Sequence, residues 1–419
     1  MNASDESLTS SANARTLPQS GQPPRQRGGS LESRLLHGLL ERLGSPPIEF
    51  TLWDGQRILA AAEPVCRVRI LDRATLWSIL TDPQVRFPDA YSEGRIEIEG
   101  DLVRLLEEVY LASGRGRPSA RGRALERLRR PHVNSLSGSQ QNIHHHYDIG
   151  NEFYTLWLGA TMAYTCAYYP EPDTSLDEAQ VAKMHHVCRK LRLRAGESVV
   201  EAGCGWGTLA LHMARHYGVK VRAFNISREQ VAYARERAAR EGLGSQVEYV
   251  LDDYRNISGR YDAFVSVGML EHVGVDNYRP LGSVISRSLG SNGRGLIHSI
   301  GRNYPAPLQA WIEKRIFPGA CPPSLGQMMD IFEPWDLSIL DVENLRLHYA
   351  QTLRHWLEQF EAQSERVRQM FDEKFVRMWR MYLAGSVAGF TTGTLQLFQV
   401  VFASRDNNDI PRTRAHLYA

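Results

Sequence analysis

The stretch ESVVEAGCGWGTLALHMARHYGVKVRAF, Glu197–Phe224, decides how the rest of the chain is read. Val199 and Val200 carry β-branched side chains into a glycine corner, GCGWG. After the corner, TLALHMARHY has the apolar spacing of a helix, and VKVRAF returns to β-branched and aromatic residues. Strand, tight turn, helix and second strand form the unit in which many nucleotide-like cofactors are held.

The corner departs from a dinucleotide fingerprint. Gly203, Gly205 and Gly207 alternate, but Thr208 stands where the third glycine of G-x-G-x-x-G belongs, and Trp206 fills the place where a pyrophosphate needs clearance. Glu201, just before the turn, suits a cationic ligand end, because a carboxylate repels phosphate. S-adenosylmethionine has no phosphate and carries an ammonium and a sulfonium, so it answers the pattern better than NAD. Three glycines alone only permit a tight corner. LDDYRN at the end of a third strand adds Asp253 as an acceptor for an adenine amino group, and Asn225, ending the second strand, leaves part of the ribose to an amide such as Gln230.

Outward from the corner, SVVEAG, VKVRAFN, VEYVLDD, YDAFVSVG and RGLIHSIG alternate with helical segments, which predicts a parallel sheet covered by helices on both faces over residues 142–419. TLRHWLEQFEAQSERVRQMFDEKFVRMWRMYLAG reads as one long helical segment, and LQLFQVVFAS as a final strand. Residues 31–112 read as a smaller α+β unit. Its elements are the helix LESRLLHGLLERL, strands around IEFTLWD and VCRVRIL, and the helix DLVRLLEEVY. Residues 1–30 have too few large apolar side chains to offset ordering and read as a disordered tail. The arginine-rich segment within 113–141 reads either as a solvated linker or arm or as a contact for anionic lipid headgroups or nucleic acid.

The 419 residues carry a formal charge of only +2, and 42% are apolar, ample for a core. Five scattered cysteines without CxxC spacing or a signal peptide predict neither disulfides nor a zinc site and favour a reducing cytoplasm. No run of about 18 apolar residues is present, so any membrane contact is expected to be peripheral. In NIHHHYDIG the consecutive histidines His144, His145 and His146 diverge, and no metal is expected there. Glu271 and His298 fall at the carboxyl ends of the fourth and fifth strands, where ligands of such sheets bind. In LQAWIEKRIF, Leu308, Trp311, Ile312 and Ile316 share one face beside Lys314 and Arg315. That face suits a headgroup boundary or a protein core equally well.

HYDIGNEFY, YTCAYYP, EAGCGWGTLA, SREQVAYARER, DDYRN, SVGMLEHVG, IFPGACPPS and LQLFQVVF, in this order between Ile143 and Phe402, resemble the cyclopropane-fatty-acyl-phospholipid synthases. VRFPDAYSEGRIEIEGD resembles the amino-terminal domain of the bacterial phospholipid-acting members. The resemblance implies a class I methyltransferase-like seven-stranded sheet with its last strand antiparallel. It implies S-adenosylmethionine lined by Tyr164, Thr165, Gly203, Gly205, Gln230, Asp253 and Tyr254, to which the corner's own Glu201, Trp206, Gly207 and Asn225 are added. It also implies a bicarbonate ion held by Cys166, Glu271, His298 and Tyr349, with the backbone of Ile300 assisting.

The activity so implied is methylene transfer to the cis double bond of unsaturated phospholipid acyl chains. A carbocation forms and bicarbonate removes its proton. Tyr147, Phe153, Tyr169 or Tyr254 are candidates to steady the positive charge. A methyl-branched or methylene-bearing product is the alternative. A homodimer on the cytoplasmic face of the membrane is expected, with the phospholipid bilayer surface as partner and no nucleic acid. Two departures stand out: Glu201 replaces the usual aspartate, and Ser386 stands where a cysteine is common.

Overall fold

The computed structural model describes residues 30–59, 63–115 and 149–418. Residues 1–29 of the tail, most of the basic linker, and His144 to Tyr147 lie outside the described residues.

In the smaller unit, the Ser30 hydroxyl accepts from Ser33 N and starts the helix Leu31–Arg42. β1 (Ile48–Thr51), β2 (Arg57–Leu59), β3 (Cys66–Ile70) and β4 (Ile96–Glu99) form a sheet in the order β2-β1-β3-β4. In β3, Cys66, Val68 and Ile70 are buried while Arg67 and Arg69 are exposed, the period of two that puts one face of a strand on a core. Helices Arg73–Thr81, Pro83–Ser92 and Leu102–Arg115 complete the unit.

The larger unit is a seven-stranded sheet of β5 (Ser198–Ala202), β6 (Lys220–Asn225), β7 (Val247–Leu251), β8 (Tyr261–Val267), β9 (Leu289–Gly301), β10 (Leu337–Asn344) and β11 (Gln396–Ser404). Their order is β7-β6-β5-β8-β9-β11-β10, and β11 runs antiparallel to both of its neighbours. This is the class I methyltransferase arrangement. Val199 packs with helices Leu176–Leu191, Thr208–Tyr217 and Arg228–Arg240, and its neighbour Val200 packs on the opposite face with Tyr278–Ser288 and Leu325–Phe332. Strand order reverses beside β5, so the loops after β5 and β8 part and leave a crevice at the carboxyl ends of the strands.

A third layer lies over that crevice. The segment read as one long helix is three helices, Arg346–Ala362, Ser364–Met370 and Glu373–Thr391, separated at Gln363 and Phe371. The Asp372 side chain accepts from Phe375 N and restarts the last of them. β10 has no counterpart among the strands read from sequence: LSILDVEN is an edge strand in which only Leu337 is buried, and it pairs with β11. One continuous core, running from Leu36 through Trp157 and Trp206 to Trp379, joins the smaller unit, the crevice and the helical layer.

The face proposed for LQAWIEKRIF is internal. Only Ala310–Arg315 is helical, Trp311 and Ile316 are buried, and the Trp311 indole N–H donates to Asp89 Oδ1 at 2.9 Å. Arg315 pairs with the same carboxylate at 2.9 Å, and Gln309 Nε2 donates to the Gln84 carbonyl at 2.8 Å. Arg377, from the helical layer, donates to the carbonyls of Tyr91 and Ile96. The smaller unit is thus fastened to both the 309–315 segment and the helical layer. Among the described residues, no helix is long and apolar enough to cross a membrane.

Asp89→Ala strands the buried Trp311 N–H and is expected to lower the unfolding free energy by ~1–3 kcal/mol, whereas Asp89→Asn retains an acceptor and loses less. Thermal denaturation of the two variants beside the parent checks the order.

Candidate active site

Two cavities meet above the crevice. The smaller, of about 120 Å³, lies over the glycine corner and is lined by Tyr164, Thr165, Glu201, Gly203, Gly205, Trp206, Asn225 and Gln230. A side chain built on Gly205, at φ +53°, would meet nothing within 4 Å, so the glycine leaves open space where a ligand needs it. Asn225 Nδ2 donates to Gly205 O at 3.2 Å and to Gln230 Oε1 at 2.8 Å, tying the second strand's end to the corner. The Trp206 indole N–H donates to Asn151 Oδ1 at 2.7 Å, and its ring packs 5.0 Å from that of Tyr154.

Three residues assigned to the cofactor from sequence lie elsewhere. Gly207 faces Tyr249, whose hydroxyl donates to its carbonyl at 2.7 Å; a Cβ there would come within 2.4 Å of that hydroxyl. Asp253 accepts from Arg255 N and caps a short 3₁₀ turn, and Tyr254 is buried under the Arg255 guanidinium. None of the three is among the residues lining the small cavity. Their backbones end strands and turns at the right topological places, but the side chains are taken up by local packing.

Lys183 was not singled out from sequence, and it lines the same cavity. Its Nζ donates to Thr165 Oγ1 at 2.8 Å. The available signal was a lysine on a buried stripe, since Ala179, Gln180, Met184 and Val187 share its face of the helix Leu176–Leu191. Burial pulls Lys183 down to about 8. Burial likewise pushes Glu201 up to about 8, against the attraction of Lys183.

The larger cavity, of about 390 Å³, brings Cys166, Glu271, His298, Ile300 and Tyr349 together. Leu308, Ile312, Phe317, Leu353 and Leu397 give it apolar surface, and Arg302, Gln309, Thr394 and Ser386 also reach it. Gln84 and Tyr110 of the smaller unit contribute too. Tyr164, Thr165, Gly268 and His272 line both cavities and form the wall between them. Burial lowers the His272 imidazole to about 4, so it is neutral at physiological pH.

Glu271 sits in the turn after β8. One of its oxygens accepts the Ile300 backbone N–H, and the other has no hydrogen-bond partner among the described residues. Burial pushes its carboxyl up to about 7, against the hydrogen bonds it accepts. The Ile300 N–H expected to help hold an anion is therefore given to Glu271. His298 Nδ1 lies 3.0 Å from Gln399 Nε2 and His298 Nε2 has no partner among the described residues; with that amide donating, the proton of the neutral ring is on Nε2. Burial keeps the imidazole well below its usual pKa and raises the Cys166 thiol, so both stay uncharged.

Of the rings proposed to steady a cation, Phe153 is locked edge-on against Trp379 at 4.9 Å, and neither it nor Tyr169 nor Tyr254 lines the larger cavity. Tyr164, Tyr349, Tyr382, Phe317 and Phe390 do line it, beside Tyr110 of the smaller unit and Tyr304. Sequence reasoning missed them, apart from Tyr164 and Tyr349, because they come from the helical layer, the 302–322 segment and the smaller unit, whose positions depend on tertiary packing.

A glycine corner with open space above it, an adjacent buried carboxylate and a class I sheet fit S-adenosylmethionine, and together define an S-adenosylmethionine-dependent methyltransferase. The family model described as mycolic acid cyclopropane synthetase matches residues 134–400, and a domain family of unknown function matches 35–115. A probable fatty acid methyltransferase of Pseudomonas putida is 34% identical over 386 residues, covering 89% of this chain and 96% of its own. The cyclopropane-fatty-acyl-phospholipid synthase of Escherichia coli K12 is 40% identical over 266 residues, 63% of this chain and 68% of its own. Among solved structures, the mycolic acid cyclopropane synthase CmaA1 complexed with SAH and CTAB superposes with a TM-score of 0.61 at 27% identity, over 63% of this chain and 98% of that one. The chain belongs to the mycolic acid cyclopropane synthetase family.

The Glu271 carboxyl holds its proton up to about 7 in the folded state, against an ordinary 4.5, so the native state binds more protons between these values. Its contribution favours the fold below about 4.5 and is lost as pH rises through about 7. Glu271→Gln is therefore expected to raise the melting temperature at about pH 8 relative to the parent and to change it little at about pH 4.5. Melting curves at both pH values check the sign.

Proposed function

We propose that the enzyme transfers a methylene unit from S-adenosylmethionine to the cis double bond of unsaturated acyl chains in membrane phospholipids, forming cyclopropane rings. The observation carrying this reading is the wall shared by the two cavities. The corner suited to the cofactor and the larger cavity share Tyr164, Thr165, Gly268 and His272, and the cluster of Cys166, Glu271 and His298 lies on the larger cavity's side, beside Leu308, Ile312, Leu353 and Leu397.

When bound, S-adenosylmethionine supplies a sulfonium-activated methyl carbon to the alkene π pair, the C–S bond breaking as the new C–C bond forms, and bicarbonate supplies the base for the proton lost on ring closure. The chain's own residues prepare this chemistry. His298 offers its Nε2–H as an uncharged donor to a small anion, while the neutral Cys166 thiol, whose hydrogen goes to the Ala167 carbonyl at 3.1 Å, lines the same space. Glu271, near half-protonated at neutral pH, offers an O–H instead of a repelling charge. The aromatic wall of Tyr164, Tyr349 and Tyr382 keeps water from the cation and faces it with ring quadrupoles. Phospholipid substrates put the enzyme at a bilayer surface, since drawing an acyl chain through water costs ~0.8 kcal/mol per CH₂. We infer peripheral attachment at the cytoplasmic face, helped by the basic 113–132 segment, a homodimer as the working form, and no nucleic-acid partner.

A second reading has specific support, because the Pseudomonas putida relative named as a probable fatty acid methyltransferase matches nearly end to end. If the cation loses a proton from a neighbouring chain carbon the product is a methyl-branched alkene, and if a hydride first shifts from the methyl-bearing carbon, loss of a proton from the added methyl leaves a methylene group; neither is a cyclopropane.

Purified enzyme given labelled S-adenosylmethionine and vesicles of monounsaturated phospholipid is expected to yield lipid whose ring methylene protons resonate at unusually high field. The same mass gain without those signals establishes the second reading, and no incorporation sinks both. Glu271→Gln is expected to cut turnover by ~10²–10⁴ while binding of S-adenosylhomocysteine is kept; unchanged turnover removes Glu271 from the chemistry.

A further inference from the structure

The cofactor cavity is lined by two buried groups of opposite charge, Lys183 at 3% exposure and Glu201 at 2%. They come from different elements, the helix Leu176–Leu191 and the end of β5. An ammonium has three hydrogens to donate, and among the described residues Lys183 Nζ gives one, to Thr165 Oγ1. Glu201 Oε2 has no hydrogen-bond partner there at all. Two buried ionisable groups of opposite type held apart in this way are costly to charge, and a direct ion pair would be the ordinary remedy. Lys183 and Glu201 instead face a common space, which suits a ligand carrying both signs close together.

We propose that Lys183 binds the α-carboxylate of S-adenosylmethionine while Glu201 takes its α-ammonium, so that the pair reads the amino-acid end of the cofactor. The inference rests on the cofactor assignment and not on the lipid substrate. The zwitterionic head satisfies the spare donors of Lys183 and the open acceptor of Glu201 without adding net charge to a closed site. Lys183 has a second effect through Thr165. Its bond to Oγ1 orients a side chain of the wall between the cavities, so a cofactor held on Lys183 is also held against that wall.

Calorimetric titration of the full chain with S-adenosylhomocysteine and with 5′-methylthioadenosine, which has the same nucleoside and sulfur but no amino-acid end, tests the assignment. Lys183→Met is expected to lose about ten- to a hundredfold in affinity for S-adenosylhomocysteine and to bind methylthioadenosine within about twofold of the parent. Lys183→Gln, which keeps a donor to Thr165 without the charge, is expected to show the same selective loss and serves where the methionine variant does not fold. Equal losses for both ligands, or none, overturn the proposal. A parent chain that binds both ligands equally also overturns it but leaves the cofactor assignment standing; a parent chain that binds neither overturns the assignment itself.

Discussion

The structure depends on keeping one thin wall dry. An isolated alkene is a weak nucleophile, and a cation formed from it is captured by any water within reach, so donor and acceptor must meet through a gap that admits neither solvent nor a stray base. That wall is the 162–169 stretch, an irregular segment that has no ladder of its own to satisfy its backbone. Its hydrogen bonds come from two directions. Gln180 Nε2 and Lys183 Nζ reach Thr165 from the helix on the sheet, at its carbonyl and its hydroxyl. From the helical layer, Thr352 Oγ1 accepts Ala167 N, His348 Nδ1 accepts Tyr169 N, and the Tyr382 hydroxyl lies 2.8 Å from that of Tyr164. The segment is irregular, but its polar groups are met on both sides, which is the condition for burying a loop.

The same dryness sets the charge state of the cluster next to it. Burial drives Glu271, His298 and Cys166 each toward the uncharged form, although one is an acid of low ordinary pKa and another a base. The cluster is thereby left without a full fixed charge of its own. A fixed carboxylate there would be a nucleophile as well as a base, open to alkylation by the same activated methyl. With Glu271 secured by the Ile300 N–H, the protein holds the site without exposing such a nucleophile.

The parallel part of the sheet was legible because its strands are buried on both faces and read as short apolar runs, and the corner because glycines, Glu201 and Trp206 combine in a pattern with few physical solutions. Glu271 and His298 followed from topology, since the carboxyl ends of adjacent strands must converge. Cys166 and Tyr349 were assigned by resemblance alone, and no periodicity places them. β10 stayed hidden because its apolar residues, Leu337, Ile339, Leu340 and Val342, keep neither a clean alternation nor an unbroken run, as suits an edge strand mostly open to solvent. Asp253 and Tyr254 also have local uses in the structure, capping a turn and packing under an arginine, that sequence does not separate from ligand contact. Lys183 was underread because a lone lysine on a helix is normally solvated and only its place on the buried stripe sets it apart.

The smaller unit belongs to this argument as well. Gln84 and Tyr110 line the apolar cavity, and Asp89 holds the 309–315 segment that forms its rim. The mycolic acid cyclopropane synthase CmaA1 is matched almost in full by 63% of this chain, which leaves more than a third without a counterpart there. A cavity whose wall and rim are built jointly by two units cannot keep the same mouth when one unit is removed. The catalytic wall needs only the sheet and the helical layer, so the chemistry can be common to both proteins. The route by which a chain reaches that wall is where the smaller unit acts, through the position of a rim that its own helix Pro83–Ser92 holds in place.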